Sequence, residues 1–369
     1  MKIHRHSFPT SQRSVKLASV ALLAIFLTSD FPLLAQENPL QGTPAITQSP
    51  PLQSNESTID VATEKPSGVA LDSEFDLNGD SESQQVAQQA TQEAAQQLIQ
   101  QVIHRLAFGR PFDAKIRHRI WTAGREMVGV GTYEQAGGGT GRFNMQVTMH
   151  DGDGKHTLQQ ISDGRLAWTR SVISDKITLR RVDVGRLNEW VRDASRQENT
   201  SPTYVPPKLK VGALTEMLDM IQRDYDLKMG KIRSAPLLGI SGTLSSEARK
   251  RTLLESGAKD WPTLLPTRIM IAIAAEPLPN TNFGQGLPVR IEFWSDPVIG
   301  DDSSQPDHPE GRLISLLEIY SVRAIDAPPV ERFRFETQDY SIKIINETDR
   351  YLRRYGVRLT DSQRKQLRR

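Results

Sequence analysis

Short alternating segments joined by glycine- and aspartate-rich turns are the feature that most constrains the fold of this chain. In the segment RFNMQVTMH, apolar and polar residues alternate from Phe143 to His150, as they do in a strand with one buried face. A glycine cluster from Gly137 to Gly141 precedes it, and such a cluster between two alternating segments predicts a hairpin turn. The cluster lacks the lysine and Ser/Thr of a phosphate-binding loop, so the sequence favours a turn over a nucleotide site.

Two groups of such segments predict twelve strands. The first group follows so closely along the chain that it leaves no space for crossover helices, which predicts an antiparallel meander. These strands are expected at residues 114–123, 126–134, 141–150, 156–162, 165–172 and 176–182. The second group is expected at residues 228–232, 237–244, 267–276, 289–295, 312–324 and 333–336.

Helical periodicity appears before, between and after the strands. Apolar residues recur every three or four positions over residues 82–106, which predicts a long first helix. Further helices are expected at 185–197, 212–225 and 246–255, and a last one begins near Asn346 or Thr348. The predicted class is α+β, with a curved antiparallel sheet that forms an unclosed half-barrel covered by helices and paired across the helical insertion. Two separate domains divided near Ser201 are the alternative.

The N-terminal region has the anatomy of an export signal. A basic start and the apolar segment LASVALLAIFLTS precede Ala35, which predicts a signal peptide at residues 1–35, with an uncleaved membrane anchor as the alternative. Residues 36–81 are rich in Pro, Ser and Gln and predict a disordered acidic linker. A domain at 82–350 and a basic tail at 351–369 complete the division, and the expected location is the periplasm or cell envelope.

Charge and cysteine content limit the partners. The chain contains no cysteine, which excludes disulfides, thiol nucleophiles and a lipid-modified cysteine. An acidic leader precedes a basic body, and export argues against nucleic acid as the partner. The tail RYLRRYGVRLTDSQRKQLRR could contact an anionic membrane as a peripheral site, although a solvated tail is the simpler interpretation. No feature of the sequence indicates an oligomeric state.

Catalytic and metal-binding motifs with specific spacing are absent from the sequence. The segment HDGDGKH is explained by a turn, and DLNGDSE lacks the glycine and the glutamate of a calcium loop, so we expect neither a metal nor another cofactor. We expect no enzymatic activity, and a hydrolase with carboxylates from distant strands is kept as an alternative.

Apolar strand residues are the candidate binding site. Methionine and aromatic side chains adapt to irregular apolar ligands such as acyl chains, although most strand residues under helices contact only protein. The residues predicted to line a ligand are Met127, Phe143, Met145, Val147, Leu166, Trp168, Ile271, Ile291, Phe293 and Leu317.

Three features between residues 82 and 350 belong together: the segment KIRHRIWTAGREMVGVGTYEQ, the turn Asp163-Gly164-Arg165 before Trp168, and the closing Phe333-Arg334-Phe335. With them, the chain resembles the LolA/LolB-like family of periplasmic lipoprotein carriers. The resemblance implies an unclosed barrel with a lid of helices and an interior that receives lipid chains. This chain is longer than a minimal carrier and lacks the cysteine of the outer-membrane acceptor type.

The leading hypothesis is an exported, non-catalytic protein that binds a lipid or the acyl chain of an acylated protein, with a role as a carrier in the cell envelope. An envelope scaffold that binds only proteins is the first alternative, and it predicts a filled interior with an exposed apolar patch. The hydrolase alternative predicts a polar cleft with a carboxyl group of shifted pKa.

Overall fold

The structure is a computed structural model that describes ten segments of the chain. They are residues 81–122, 125–150, 154–173, 176–198, 210–232, 236–262, 264–296, 311–337, 341–357 and 360–367. The predicted signal peptide, the predicted linker up to residue 80 and the central residues of HDGDGKH lie outside this part. So do Asp76 and Asp80 of the calcium-like segment.

Twelve strands form one sheet whose edge strands do not meet, in the order β12-β6-β5-β4-β3-β2-β1-β11-β10-β9-β8-β7. Neighbours are antiparallel except β12 and β6, which are parallel. The first six strands are β1 (Phe112–Thr122), β2 (Arg125–Gln135), β3 (Arg142–His150), β4 (Lys155–Asp163), β5 (Leu166–Ile173) and β6 (Lys176–Asp183). The others are β7 (Tyr225–Lys231), β8 (Leu237–Leu244), β9 (Arg268–Ala274), β10 (Pro288–Ser295), β11 (Arg312–Ala324) and β12 (Ile344–Asn346). The predicted α+β class with an unclosed half-barrel is confirmed.

The first and the last long strands join the two groups. Phe112 of β1 pairs with Ala324 of β11, and Ile120 pairs with Ser315. Strands β6 and β7, which flank the middle helices, lie towards opposite edges. Pairing across the helical insertion is therefore made by β1 and β11. A division near Ser201 would cut a single sheet.

Six helices accompany the sheet in the described part of the chain. They are α1 (Ser81–Phe108), α2 (Val184–Glu198), α3 (Ala213–Asp224), α4 (Ser246–Ser256), α5 (Thr348–Arg354) and α6 (Asp361–Leu367). Helix α4 shows how local sequence sets the ends: the Ser245 hydroxyl accepts a hydrogen bond from the Ala248 amide at 3.2 Å. Gly257 ends the helix in the left-handed conformation.

Helices α1 and α3 cover the inner face of the sheet. Their buried residues recur at helical spacing and join the main core with the apolar residues of β1 to β3 and β7 to β11. They are Ala95, Ile99, Val102, Ile103 and Leu106 of α1, and Leu214, Met217, Leu218 and Ile221 of α3. Each large apolar side chain buried in this way contributes about 1.5–3 kcal/mol to folding.

Two glycine sites permit close approach in this core. An added Cβ at Gly212 would lie 2.4 Å from the Phe143 ring, so glycine allows α3 to approach β3. In the predicted glycine turn, Gly137 and Gly138 have positive φ, and the turn is confirmed. The Gly139 amide donates to the Ala107 carbonyl at 2.9 Å, which satisfies one of the last carbonyls of α1.

A second core lies beside β5 and β6. It contains Ala167 and Val182 of these strands, Leu187 and Trp190 of α2, and Val211, Tyr351 and Leu352. The first part of the predicted basic tail thus packs against the domain, because Tyr351 and Leu352 are buried. The following helix α6 was not predicted.

The predicted strand at residues 333–336 is wrong. A short 3₁₀-helix covers Val330–Phe333, and β12 is the next strand in the residues that the structure describes. Pro329 precedes this turn with φ of −63°, the value that its ring imposes, and Phe333 is buried against β3 and β4. Alternation in RFRF therefore reflects one buried aromatic residue rather than a strand.

Candidate functional site

Eight of the ten predicted lining residues lie together on the inner face of the sheet. They are Met127, Phe143, Met145, Val147, Ile271, Ile291, Phe293 and Leu317, and all belong to the main core under α1 and α3. None of them is more than 6% exposed. In the structure these side chains contact protein, so a ligand could reach them only if a helix moved.

Leu166 and Trp168 are not brought together with the other eight. Trp168 pairs with Ile161 and Arg181, and this register places it on the outer face of the sheet. Its ring stacks on Phe335 with centroids 5.0 Å apart. Leu166 shares that face and is half-buried.

A cleft of about 660 Å³ opens beside the C-terminal half of α1. Its volume is in the range of small-molecule sites. One wall is the flank of α1, where Leu98, Val102 and Arg105 stand at i, i+4 and i+7 and therefore share one face. The opposite wall consists of Leu238 of β8, Ala274 at the end of β9, Ala275, Gln285 and Gly286.

Exposed apolar side chains give the cleft its binding character. Phe108 is 44% exposed and Leu238 is 40% exposed, and both line the cleft. Val102 lines the cleft and also belongs to the main core. The cleft is therefore the place where the apolar interior meets solvent.

One end of the cleft is cationic. The Arg105 guanidinium donates a hydrogen bond to the Gln285 carbonyl, and in the described part of the chain it forms no ion pair. An added Cβ at Gly286 would lie 2.2 Å from Arg105 Nη1, so any other residue at this position would require the guanidinium to move. The His104 ring stacks on Phe108 with centroids 4.8 Å apart.

A buried histidine and serine are closed to a substrate. His118 Nε2 lies 2.8 Å from Ser315 Oγ, and the two residues are at most 1% exposed. Burial lowers the pKa of His118 to about 4, so the imidazole is neutral at pH 7. The pair lies within the sheet's inner face and contributes to the core.

A buried polar cluster ties α3 to α5. The Glu216 carboxylate accepts hydrogen bonds from the Tyr351 hydroxyl at 2.9 Å and from Arg354 at 2.7 Å. The Gly212 amide donates to it at 2.5 Å. Burial raises the pKa of Tyr351 well above its usual range, so the phenol keeps its proton and remains a donor. A cavity of about 10 Å³ beside this cluster has space for about one water molecule.

The described residues contain no group of three or more His, Asp or Glu side chains placed to hold a metal ion. Among the same segments, none of the helices combines the length and apolar character needed to span a membrane.

Sequence reasoning missed the cleft residues Arg105, Phe108 and Leu238. The signal for Arg105 was its position at the edge of the apolar stripe of α1, one turn after Val102. The signal for Leu238 was weaker, because a leucine near the end of a strand is as typical of a buried core as of the exposed wall of a cleft.

Comparisons with known proteins give matches to solved structures. No protein-family model matches the sequence. No curated protein matches it either. MucB is 10% identical, with a TM-score of 0.32, and the match covers 67% of this chain and 64% of the MucB chain. A LolA superfamily protein from Nitrosomonas europaea is 11% identical, with a TM-score of 0.25, and is matched over 65% of this chain and 97% of its own.

LprF from Mycobacterium bovis is similar at the same level. It is 9% identical, with a TM-score of 0.28, and the match covers 64% of this chain and 97% of that chain. Identities in this range carry neither the activity nor the partners of those proteins to this chain. These matches are similarities to solved structures alone.

Proposed function

We propose that this chain is an exported, non-catalytic protein that binds an apolar ligand, a lipid or an acyl chain, in the cleft beside α1. The exposure of Phe108 and Leu238 inside a cleft of about 660 Å³ carries this proposal. Each methylene group that leaves water in such a site contributes about 0.8 kcal/mol to binding. Export rests on the predicted signal peptide at residues 1–35.

The cleft is favoured over the closed interior as the first contact for a ligand. Val102 connects the two regions, since it lines the cleft and packs in the main core. An acyl chain that went deeper would have to separate α1 from the sheet. The ligand-lining residues predicted on the inner face therefore stay a prediction, because a ligand could reach them only through such a movement.

The lining of the cleft supports binding rather than hydrolysis. Its described residues include no aspartate or glutamate, and the carboxyl groups of raised pKa lie elsewhere. Burial raises the pKa of Glu134, which pairs with Arg332 at 3.0 Å. Burial also raises the pKa of Glu347, which lines the small cavity beside Tyr351. A carboxylate hydrolase would need such groups in the open cleft.

Titration with the neutral apolar dye Nile red tests the proposal. The delipidated full-length chain is expected to bind the dye, and Phe108→Ser and Leu238→Ser are each expected to weaken binding by roughly fivefold to tenfold. This loss corresponds to about 1 kcal/mol of apolar contact at a half-exposed position. Native mass spectrometry of the protein from its own host would identify any co-purified acyl-bearing species.

Leu254→Ser is the matched control, because Leu254 on α4 is 85% exposed and lies outside the cleft. It is expected to leave dye binding unchanged. An equal loss in the control, or a wild-type protein that binds neither dye nor lipid, would contradict the proposal.

An envelope scaffold is the second candidate function. The inner face is filled at the eight predicted positions, and the outer face exposes Val128 and Val130 of β2 and Tyr320 of β11. These are the features that the scaffold hypothesis predicted. Photo-crosslinking from position 130 in the native envelope tests it, with position 254 as the control. A partner captured specifically from position 130 by a chain that binds no dye would favour the scaffold.

A further inference from the structure

The polar end of the cleft carries information about the ligand. Among the described residues that line the cleft, Arg105 and His104 are the side chains that can be cationic, and none is acidic. In the described part of the chain, no carboxylate pairs with the Arg105 guanidinium. A charged group in an otherwise apolar cleft is complemented by a ligand that supplies the opposite charge.

Arg105 is held in place rather than loosely attached. Its guanidinium donates to the Gln285 carbonyl and packs over Gly286, where a Cβ would lie 2.2 Å from Nη1. Gln285 is fixed in turn, since its side-chain amide donates to the Ala275 carbonyl at 2.9 Å. A fixed guanidinium loses less conformational freedom on binding an anion than a mobile one does.

The apolar wall extends away from this cation. Leu98 precedes Arg105 by seven residues on the same flank of α1, which is about 10 Å along the helix. Val102 lies between them, and Leu238 and Ala274 face them across the cleft. The described lining is therefore charged at one end, and the rest combines these apolar side chains with Gln100 and Gln101, an arrangement that fits a single-chain amphiphile.

We propose that the cleft binds a long-chain fatty acid, with its carboxylate on the Arg105 guanidinium and its chain along Leu98, Val102 and Leu238. This inference rests on the proposed function, because it assigns the ligand of the same cleft. One planar guanidinium fork matches one carboxylate through two parallel hydrogen bonds. Among the described lining residues, the side-chain donors beside Arg105 are His104 and glutamines, with no second guanidinium or ammonium group, so a single carboxylate is better matched than a doubly charged phosphate.

Paired ligands of equal chain length separate the headgroup from the chain. The full-length, delipidated protein is titrated with palmitate, hexadecanol and palmitoyl lysophosphatidic acid by displacement of Nile red. Palmitate is expected to bind at least tenfold tighter than hexadecanol and tighter than the phosphate-bearing lipid. Added salt is expected to weaken palmitate and leave hexadecanol unchanged.

Variants of Arg105 assign the effect to this residue. Arg105→Gln is expected to weaken palmitate about tenfold and to leave hexadecanol within twofold, so hexadecanol binding also reports that the variant is folded. Arg105→Lys, which keeps the charge without the fork, is expected to recover part of the loss. Arg110→Gln is the matched control, because Arg110 is exposed in the same segment and does not line the cleft.

The failures of the two proposals are distinguishable. If neither palmitate nor hexadecanol binds, the proposed function falls and this inference falls with it. If both bind equally, or if Arg105→Gln weakens both by the same factor, apolar binding stands and the carboxylate assignment is overturned. Tighter binding of the phosphate-bearing lipid than of palmitate overturns the assignment as well.

Discussion

The two sides of the half-barrel differ in how the space beside the sheet is filled. Beside β8 and β9, a cleft of about 660 Å³ is open next to α1. Beside β4 to β6, the C-terminal segment packs Tyr351 and Leu352 into the second core, and a cavity of about 10 Å³ is left. One continuous sheet thus supports an open side and a closed side, and the segments that cover it decide which is which.

Charge follows the same division. On the closed side, Glu216 is 2% exposed and accepts hydrogen bonds from Tyr351 and Arg354. A charge so far from water is tolerated only with partners. On the open side, Arg105 is exposed, and solvent can solvate its charge. The buried ion pair gives Arg354 a structural role, whereas the ligand contact that we propose for Arg105 uses an exposed cation.

The largest expected effect comes from breaking the closed side. Arg354→Met keeps the aliphatic stem but removes the cation that bonds to Glu216 at 2.7 Å. We expect the free energy of unfolding to fall by about 4 kcal/mol, because a buried carboxylate loses a charged partner. Urea denaturation at pH 7 measures the change.

The neighbouring arginine is the control for this prediction. Arg353 is 74% exposed and pairs with Asp349 at 3.5 Å on the surface of α5. Arg353→Met is expected to change stability by less than about 0.5 kcal/mol, as is usual for an exposed pair. Similar losses in the two variants would show that the buried cluster is no more important than surface charge.

Acid is also expected to destabilise the protein, because His118 is buried on the inner face of the sheet. The unfolded chain binds a proton at this residue near its ordinary pKa of 6.5, whereas burial lowers the folded-state pKa to about 4. The contribution of His118 to stability is therefore complete above pH 6.5 and is lost as the pH falls towards 4. Between pH 7 and pH 5 we expect a loss of about 2 kcal/mol from this group.

Parallel denaturation series at pH 7 and pH 5 isolate the histidine. His118→Gln is expected to lower stability at pH 7 but to lose the part of the pH dependence that His118 causes. His104→Gln is the control for the substitution itself, since His104 on α1 is exposed, and its stability at pH 7 should stay close to that of the wild type. If stability falls by the same amount between pH 7 and pH 5 in His118→Gln and in the wild type, His118 is not the cause of the pH dependence.

The smallest stability effect is expected on the open side. Leu238→Ser removes an apolar side chain that is 40% exposed, so the free energy of unfolding should fall by less than about 1 kcal/mol. The same variant is expected to weaken the binding of Nile red, so the effects on binding and on stability can be told apart at this position. If Leu238→Ser lowered the free energy of unfolding as much as Arg354→Met, the cleft residue would be as important for stability as the buried cluster.

Much of the fold was predictable because local patterns agree with tertiary packing. Helix α1, strands β1 to β11 within three residues of their observed bounds, and helices α2 to α4 follow periodicities that are visible in the sequence. Strand β12 was missed because three exposed residues, Ile344 to Asn346, show no alternation to detect. Its pairing with β6 joins segments that are distant in the chain, which a local sequence pattern does not predict.

The candidate site was less predictable than the fold. Alternation identifies which residues of β3 share a face, but it does not say whether a helix covers that face. Phe143 and Met145 could equally line a ligand or a core until α3 and Gly212 are in place. The cleft depends on where α1 ends relative to β8 and β9, and that relation spans more than a hundred residues.

The pairing of β1 with β11 also has a consequence for folding kinetics. Arg117 and Glu318, which form an ion pair across these strands, are 201 residues apart in the chain. Contacts of such separation are slow to form, because the entropy of a long loop is lost before the contact compensates for it. Until β11 is synthesised, β1 has an open edge that can pair with other chains. A chaperone that shields the N-terminal strands should therefore raise the yield of this protein more than one that acts after β11 has docked.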